Sequence, residues 1–206
     1  DTDYTNGFNG TSAAAPVVSG VAALVLDANP DLSWRDVRQI IARSARMNDR
    51  HNDNWFENDA GHDYNLEYGF GVVDAESAVE MAHDWQPLGP YRRYETGVDE
   101  PGTPIPDDSP DGVDVDIQVS SSGISKLEYV VVIFGSDDHT YTKDLQVIAT
   151  SPSGTRVPLI LRHDSEDPHA QFDEFPFGCA AFLDEPADGT WSINVADLEQ
   201  LDKSSI

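Results

Sequence analysis

Asn9-Gly10-Thr11-Ser12-Ala13-Ala14-Ala15-Pro16 opens an apolar run that continues to Leu26. Val17, Val18, Val21, Leu24, Val25 and Leu26 lie nearly all round a helical wheel. A helix over 13–28 of that kind belongs in a protein interior. Pro16 is expected in its first turn, where a missing N–H costs little. A helix N-terminus leaves unpaired N–H groups and a partial positive charge. The Ser12 hydroxyl thus stands where backbone donors, its own N–H among them, are placed to stabilise an oxyanion. A serine ahead of an apolar helix is ordinarily an N-cap. Here glycine on one side and alanines on the other leave the approach to Ser12 open, and the whole motif with its downstream context shifts the balance to a nucleophile. The alternative nucleophile elbow, Gly-x-Ser-x-Gly, is not met, because Ala14 stands where its second glycine should be.

The 206 residues suffice for one large or two small domains, and the 39% hydrophobic content allows a packed core. The net charge is −26 and the only lysines are Lys126, Lys143 and Lys203. That composition speaks against nucleic-acid binding, which needs clustered Lys and Arg at the phosphates. It favours cationic substrates or calcium, and serves solubility equally well. Cys179 is the only cysteine, so no intrachain disulfide forms. No signal peptide, lipidation motif or membrane span is read. The 13–26 run is short for a bilayer and interrupted by Pro16, Ser19 and Gly20.

Downstream, Asn29-Pro30-Asp31-Leu32 makes a turn, and Ser33 with Asp36 forms a capping pair for a second helix ending near Ala45. Val37, Ile40 and Ile41 mark its buried face, with Arg35, Arg38 and Arg43 outside. The stretch 48–65 reads as a polar, solvated loop. Asn52, Asp53, Glu57, Asp59 and Asp63 supply oxygens there, but not in a calcium-loop pattern. In Tyr68-Gly69-Phe70-Gly71-Val72-Val73-Asp74-Ala75 the valines suit a short buried strand. Asp74 caps a third helix over 75–83, with Ala78, Val79 and Ala82 on one face. A hinge is expected at 85–90 and a second turn-rich stretch at 99–116. Beyond the hinge the period becomes two. Val113, Val115, Ile117 and Val119 alternate with polar residues, and 127–134, 145–149, 157–161 and 191–195 are further strands. Strands between turns argue for a β-sandwich or jelly roll.

The Gly10-Thr11-Ser12-x-Ala14-x-Pro16 pattern resembles the nucleophile segment of subtilisin-like serine proteases at every fixed position. The order that follows, helix, helix, loop, Tyr-Gly-x-Gly and last helix, is similar to the end of their catalytic domain over about 1–85. The second half resembles the P domain of kexin- and furin-like proprotein convertases. Leu145-Gln146-Val147-Ile148-Ala149-Thr150-Ser151-Pro152-Ser153-Gly154-Thr155 and Gly189-Thr190-Trp191-Ser192-Ile193-Asn194-Val195-Ala196-Asp197 carry that match.

The resemblance implies an α/β portion of a subtilisin-like three-layer domain over 1–86. A jelly-roll P domain over 87–206, expected to lack its last strand, would follow. It implies a serine endopeptidase cleaving after basic residues through an acyl-enzyme on Ser12, with the Ser12 N–H in the oxyanion hole and Gly10, Thr11 and Pro16 supporting the motif. Subtilases order their triad Asp, His, Ser, and eleven residues precede Ser12. The chain is therefore expected to begin in mid-domain, with Asp and His on an upstream fragment that is its partner. None of His51, His62, His83, His139, His163 and His169 has motif support as a local base. Calcium as cofactor, peptide or protein substrates, and a secreted, periplasmic or cell-surface location are likewise implied. Neither nucleic acid nor membrane is an expected partner. The alternative is a non-catalytic binding or adhesion module carrying a protease remnant; an esterase of the α/β-hydrolase type lacks a scaffold for an Asp and His after the serine.

Overall fold

A computed structural model describes residues 7–97, 102–136, 142–162 and 172–200. Residues 1–6, Asp99 and Pro101 of the turn-rich stretch, and His139, His163 and His169 lie outside the described residues. The chain forms two units. One comprises Asp1–Glu57 and His62–Tyr91, the other Asn58–Gly61 and Arg92–Ile206.

In the first unit, helix α1 spans Thr11–Ala28, α2 Trp34–Ser44 and α3 Ala75–Asp84. A hairpin of β1 (Trp55–Glu57) and β2 (Asp63–Asn65) lies between α2 and α3. The core gathers Val21 and Val25 of α1, Leu32, Val37 and Ile40 of α2 and its approach, and Ala78 and Ala82 of α3. The small α3 residues let the helices approach closely. The α2 start is built as its sequence indicates. The Ser33 side chain accepts from the Asp36 N–H while the Asp36 carboxyl accepts from the Ser33 N–H, a reciprocal capping box. Asp74 caps α3 by accepting from the Ser77 N–H at 3.0 Å.

Residues 85–90, read as a hinge, and Tyr91 are tied to α2. Asp36 accepts from the Trp85 indole and the Leu88 N–H, each at 2.8 Å. Arg35 donates to the Gly89 carbonyl at 2.7 Å and stacks over Tyr91.

Four details depart from the sequence reading. First, α1 begins at Thr11, so Pro16 is its sixth residue and not in the first turn. The intrahelical bond that would end on the Ser12 carbonyl is missing as a result. Second, α1 is apolar all round, yet among the described residues only Val21 and Val25 are buried, and Val17 is 59% and Leu24 51% exposed. By length and composition α1 is long and apolar enough to cross a membrane. Third, the stretch 48–65 holds the β1–β2 hairpin, packed through Phe56, Tyr64 and Phe70. Its polar groups serve one another. Asn52 and Asn54 donate to the Glu67 carboxyl, and Asn65, fully buried, donates to Asn52 and accepts from the N–H groups of Glu67 and Tyr68. Fourth, Val72 makes only an isolated bridge with Arg46 and stays exposed, so no strand forms at 72–73. Gly71 has φ +116°, and a Cβ there would lie 2.4 Å from the Arg46 carbonyl oxygen, so the bridge requires glycine.

The second unit is antiparallel throughout its described strands. One sheet has the order β3 (Ser109–Val119), β8 (Gly189–Asp197), β5 (Leu145–Thr150), β6 (Arg156–Ile160). A separate pair joins β4 (Val130–Phe134) to β7 (Phe175–Cys179). Leu145, Val147 and Ala149 on β5 and Trp191, Ile193 and Val195 on β8 alternate inward. Phe182 meets Trp191 edge-on at 5.0 Å, and the indole N–H donates to the Ala187 carbonyl. A bulge between Ser109 and Val113 places Gly112 at φ +62°, where a Cβ would lie 2.4 Å from the Val195 carbonyl oxygen. Strand β7 was not anticipated. Pro176 and Gly178 break its alternation, and its pairing with β4 fixes it instead.

Candidate active site

Ser12 is the second residue of α1 and not its cap. The cap position belongs to Gly10, at φ 76°, which offers no side chain to the helix. The Gly10 carbonyl accepts from the N–H groups of Ala13 at 3.0 Å and Ala14 at 3.2 Å. Helix geometry leaves the N–H groups of Thr11 and Ser12 without an intrahelical acceptor, aligned with the positive end of the helix dipole. Ser12 is exposed, and nothing lies within 4 Å of where a Gly10 Cβ would be. The hydroxyl, its own N–H and an open flank thus share one helix end. Such an end suits an anionic tetrahedral oxygen. Thr11 opens the helix, and Pro16 leaves the Ser12 carbonyl without its helical donor.

The described histidines lie on elements other than α1. His51 is an exposed turn residue, His62 directly precedes β2, and His83 is exposed in the last turn of α3. Among the described residues no group of three or more His, Cys, Asp or Glu is arranged to hold a metal ion. The carboxyls of 48–65 do not converge as calcium ligands. The Asn52 and Asn54 amides of this stretch donate to Glu67 instead, and the Asp59 contacts are made by its backbone N–H.

A serine at the head of a helix, two further packed helices and, later in the sequence, an antiparallel β unit follow one another along the chain. Residues 1–71 match the model of the subtilase family, and residues 127–206 match that of the proprotein convertase P-domain. Proprotein convertase subtilisin/kexin type 6 of Homo sapiens is 32% identical over 207 residues, spanning 94% of this chain and 20% of that protein. A PC3-like endoprotease, variant B, of Hydra vulgaris is 32% identical over 196 residues, spanning 94% of this chain and 28% of its own length. The solved serine protease of Aeromonas sobria superposes with a TM-score of 0.80 at 28% identity, covering 93% of this chain and 38% of that one. The same protease, solved with its chaperone, gives a TM-score of 0.80 at 29% identity, covering 95% of this chain and 38% of that one. Residues 1–71 are thus similar to the subtilase family and 127–206 to the proprotein convertase P-domain, as in these relatives. The chain spans between a fifth and three tenths of the length of these curated relatives.

Two groups of polar residues escaped the sequence reading. Asp36 was read only as a cap partner, whereas it also receives the Trp85 and Leu88 donors. Glu185 was not singled out at all. The signal for it lay in the two hydroxyls of the Ser151-Pro152-Ser153-Gly154-Thr155 turn, both of which donate to its carboxyl.

Proposed function

We propose that Ser12 is the nucleophile of a serine endopeptidase whose complete chain carries the Asp and His of the triad upstream of this segment. The single observation behind this reading is the position of Ser12. It lies second in a helix capped by glycine, so its hydroxyl is not used as a cap and its N–H is free of the helix ladder. In the complete enzyme His takes the Ser12 proton as the hydroxyl oxygen attacks the scissile carbonyl. The Ser12 N–H then donates to the oxyanion, the leaving amine takes the proton back from His, and water hydrolyses the acyl-enzyme. Gly10 and Ala14 keep the approach clear, and the upstream portion covers the exposed α1 residues Val17, Val18, Leu24 and Leu26. Residues 1–86 are read as the end of the catalytic domain and 87–206 as a jelly-roll P domain.

Substrates are proteins or peptides cut after basic residues, which the acidic character of the chain suits. The family resemblance supports a secreted or surface-exposed enzyme. It also supports a calcium requirement of the complete protein; the described residues supply no ligand set for the ion, so no step is assigned to it.

A fluorophosphonate probe tests the assignment. Labelling of Ser12 is expected when the upstream portion is present and lost in Ser12→Ala, which should abolish peptide cleavage without unfolding. Labelling of the 206-residue chain by itself at Ser12 would show that a local residue activates it. No labelling in the complete protein would favour the non-catalytic binding module.

A further inference from the structure

The second unit is discontinuous in sequence, and the reason lies in one buried carboxyl group. Glu185 is 1% exposed. One of its oxygens accepts from the Ser151 hydroxyl at 2.5 Å; the other accepts from the Thr155 hydroxyl at 2.5 Å and from the Asp59 N–H at 3.2 Å. The Asp59 N–H also reaches the Thr155 hydroxyl oxygen at 3.0 Å. Beside it, Asn58 is 2% exposed and donates both amide hydrogens outward, to the Ala181 carbonyl at 2.8 Å and the Leu183 carbonyl at 2.9 Å. Its amide oxygen accepts from the Ala60 N–H at 3.0 Å, which closes the segment as an Asx turn.

The receiving groups are also held by bonds within their own turns. The 151–155 turn is fixed by the Ser151 N–H to the Thr155 carbonyl, the Gly154 N–H to the Ser151 carbonyl, and the Thr155 N–H to the Ser151 hydroxyl. The 180–185 turn is fixed by Leu183 N–H to Ala180, Glu185 N–H to Phe182, and a reciprocal pair in which Asp184 donates to Leu127 and Leu127 to Glu185. Two turns thus present four acceptors, the Ala181 and Leu183 carbonyls, the Thr155 hydroxyl oxygen and one Glu185 oxygen, to two donor groups, the Asn58 amide and the Asp59 N–H. A buried carboxyl and two buried carbonyls are costly without donors.

We infer that Glu185, Ser151, Thr155 and the carbonyls of Ala181 and Leu183 form a peptide-binding socket on the second unit. Its ligand class is an Asx-turn peptide with asparagine at the first position, and the chain's own Asn58–Gly61 occupies it. The socket reads asparagine because only an uncharged carboxamide gives two N–H donors to two carbonyls while turning its oxygen onto its own backbone. It reads the following residue by its backbone N–H alone, so the Asp59 side chain is not part of recognition. The site is separate from the Ser12 chemistry and does not depend on it.

Cys179, the only cysteine, reports on the socket. It is buried at the head of the 180–185 turn, where its sulfur accepts from the Ala181 N–H at 3.4 Å. Burial pushes its thiol pKa up, an effect the Ala181 N–H partly opposes and the nearby Glu185 reinforces. Release of Asn58 frees the Ala181 and Leu183 carbonyls and loosens that turn. The experiment measures labelling of Cys179 by a neutral maleimide in the 206-residue chain, from zero to low urea. Asn58→Ala is expected to accelerate labelling by about tenfold or more, through an opening nearly insensitive to urea. Glu185→Gln, which keeps shape and one acceptor, should give a smaller rise of about threefold or more. Asp59→Ala should leave the rate unchanged. Unchanged labelling in the Asn58 and Glu185 variants would overturn the inference. So would an Asp59→Ala effect equal to that of Asn58→Ala, or an acceleration with the urea dependence of global unfolding.

Discussion

Asp36→Asn removes the one group on which the α2 start and the 85–88 segment converge. Asp36 is 2% exposed and accepts four hydrogen bonds: Ser33 N–H at 2.8 Å, Ser33 hydroxyl at 2.5 Å, Trp85 indole at 2.8 Å and Leu88 N–H at 2.8 Å. Burial by itself raises the pKa of this carboxyl. The bonds from Ser33, Leu88 and Trp85 outweigh it and bring the value from 3.8 down to about 2. By linkage that lowering corresponds to about 2 kcal/mol of stability. Hydrogen bonds to a charged acceptor, at roughly 1.5–3 kcal/mol each and strongly non-additive, give the same order. The sign follows from the depressed folded value. The contribution is complete above the unfolded pKa of 3.8, declines as pH falls, and is lost through about 2. Asn cannot titrate and brings two N–H groups toward donors. Urea unfolding followed by tryptophan fluorescence should therefore place Asp36→Asn about 2 kcal/mol below the parent at pH 6, a midpoint shift of about 1 M for a typical slope. The gap should narrow from pH 5 downward and mostly close by pH 2. A gap that stayed constant between pH 6 and pH 2 would refute the reasoning, because the charge would then not be what the donors hold.

Ser12→Ala in the complete protein should remove peptidase activity while leaving the unfolding midpoint unchanged, as measured by turnover and urea titration. Gly71→Ala should cost about 2 kcal/mol or more, because its Cβ would sit 2.4 Å from the Arg46 carbonyl at φ +116°; Gly69→Ala, at φ +59° with nothing within 4 Å, should cost only about 1 kcal/mol. Comparing the two urea midpoints separates the steric term from the conformational one. Hydrolysis of cationic peptides by the complete enzyme should slow as salt rises past the point where the Debye length is about 8 Å, and a neutral peptide of equal length should slow less. Equal salt dependence would assign the −26 charge to solubility.

The helices were legible because their signals are local. Ser33 with Asp36, and Asp74 with Ser77, form caps within three residues, and Val37, Ile40, Ala78 and Ala82 repeat at helical spacing. Strands β3, β5, β6 and β8 were legible because one side of each strand faces a core and the other does not. Strand β7 was not, since Pro176 and Gly178 read as breakers until Ile133 and Val131 are known to lie opposite them. The hairpin at 55–65 was hidden for a different reason. Its sequence is polar because the Asn52, Asn54, Asn65 and Glu67 groups satisfy one another, and composition cannot distinguish that network from solvation. At the candidate site, the motif gave Ser12, and the helix start at Thr11 places it inside the helix and not at the cap. The partners of Asn58 lie 123 and 125 positions away, beyond any periodicity.

These failures share a cause with the exposed side of α1. A local pattern states what a segment needs, and not which distant segment meets the need. For Asn58 the partners are within the described chain, and two turns are shaped to receive it. For Val17, Val18, Leu24 and Leu26 the described chain offers none, although full burial of such a side chain is worth roughly 1.5–3 kcal/mol. At 38–59% exposure the four together forgo on the order of 3–6 kcal/mol, near the lower end of a typical domain's total stability. An apolar helix with Ser12 at its head is therefore suited to a catalytic domain whose remaining layers cover it.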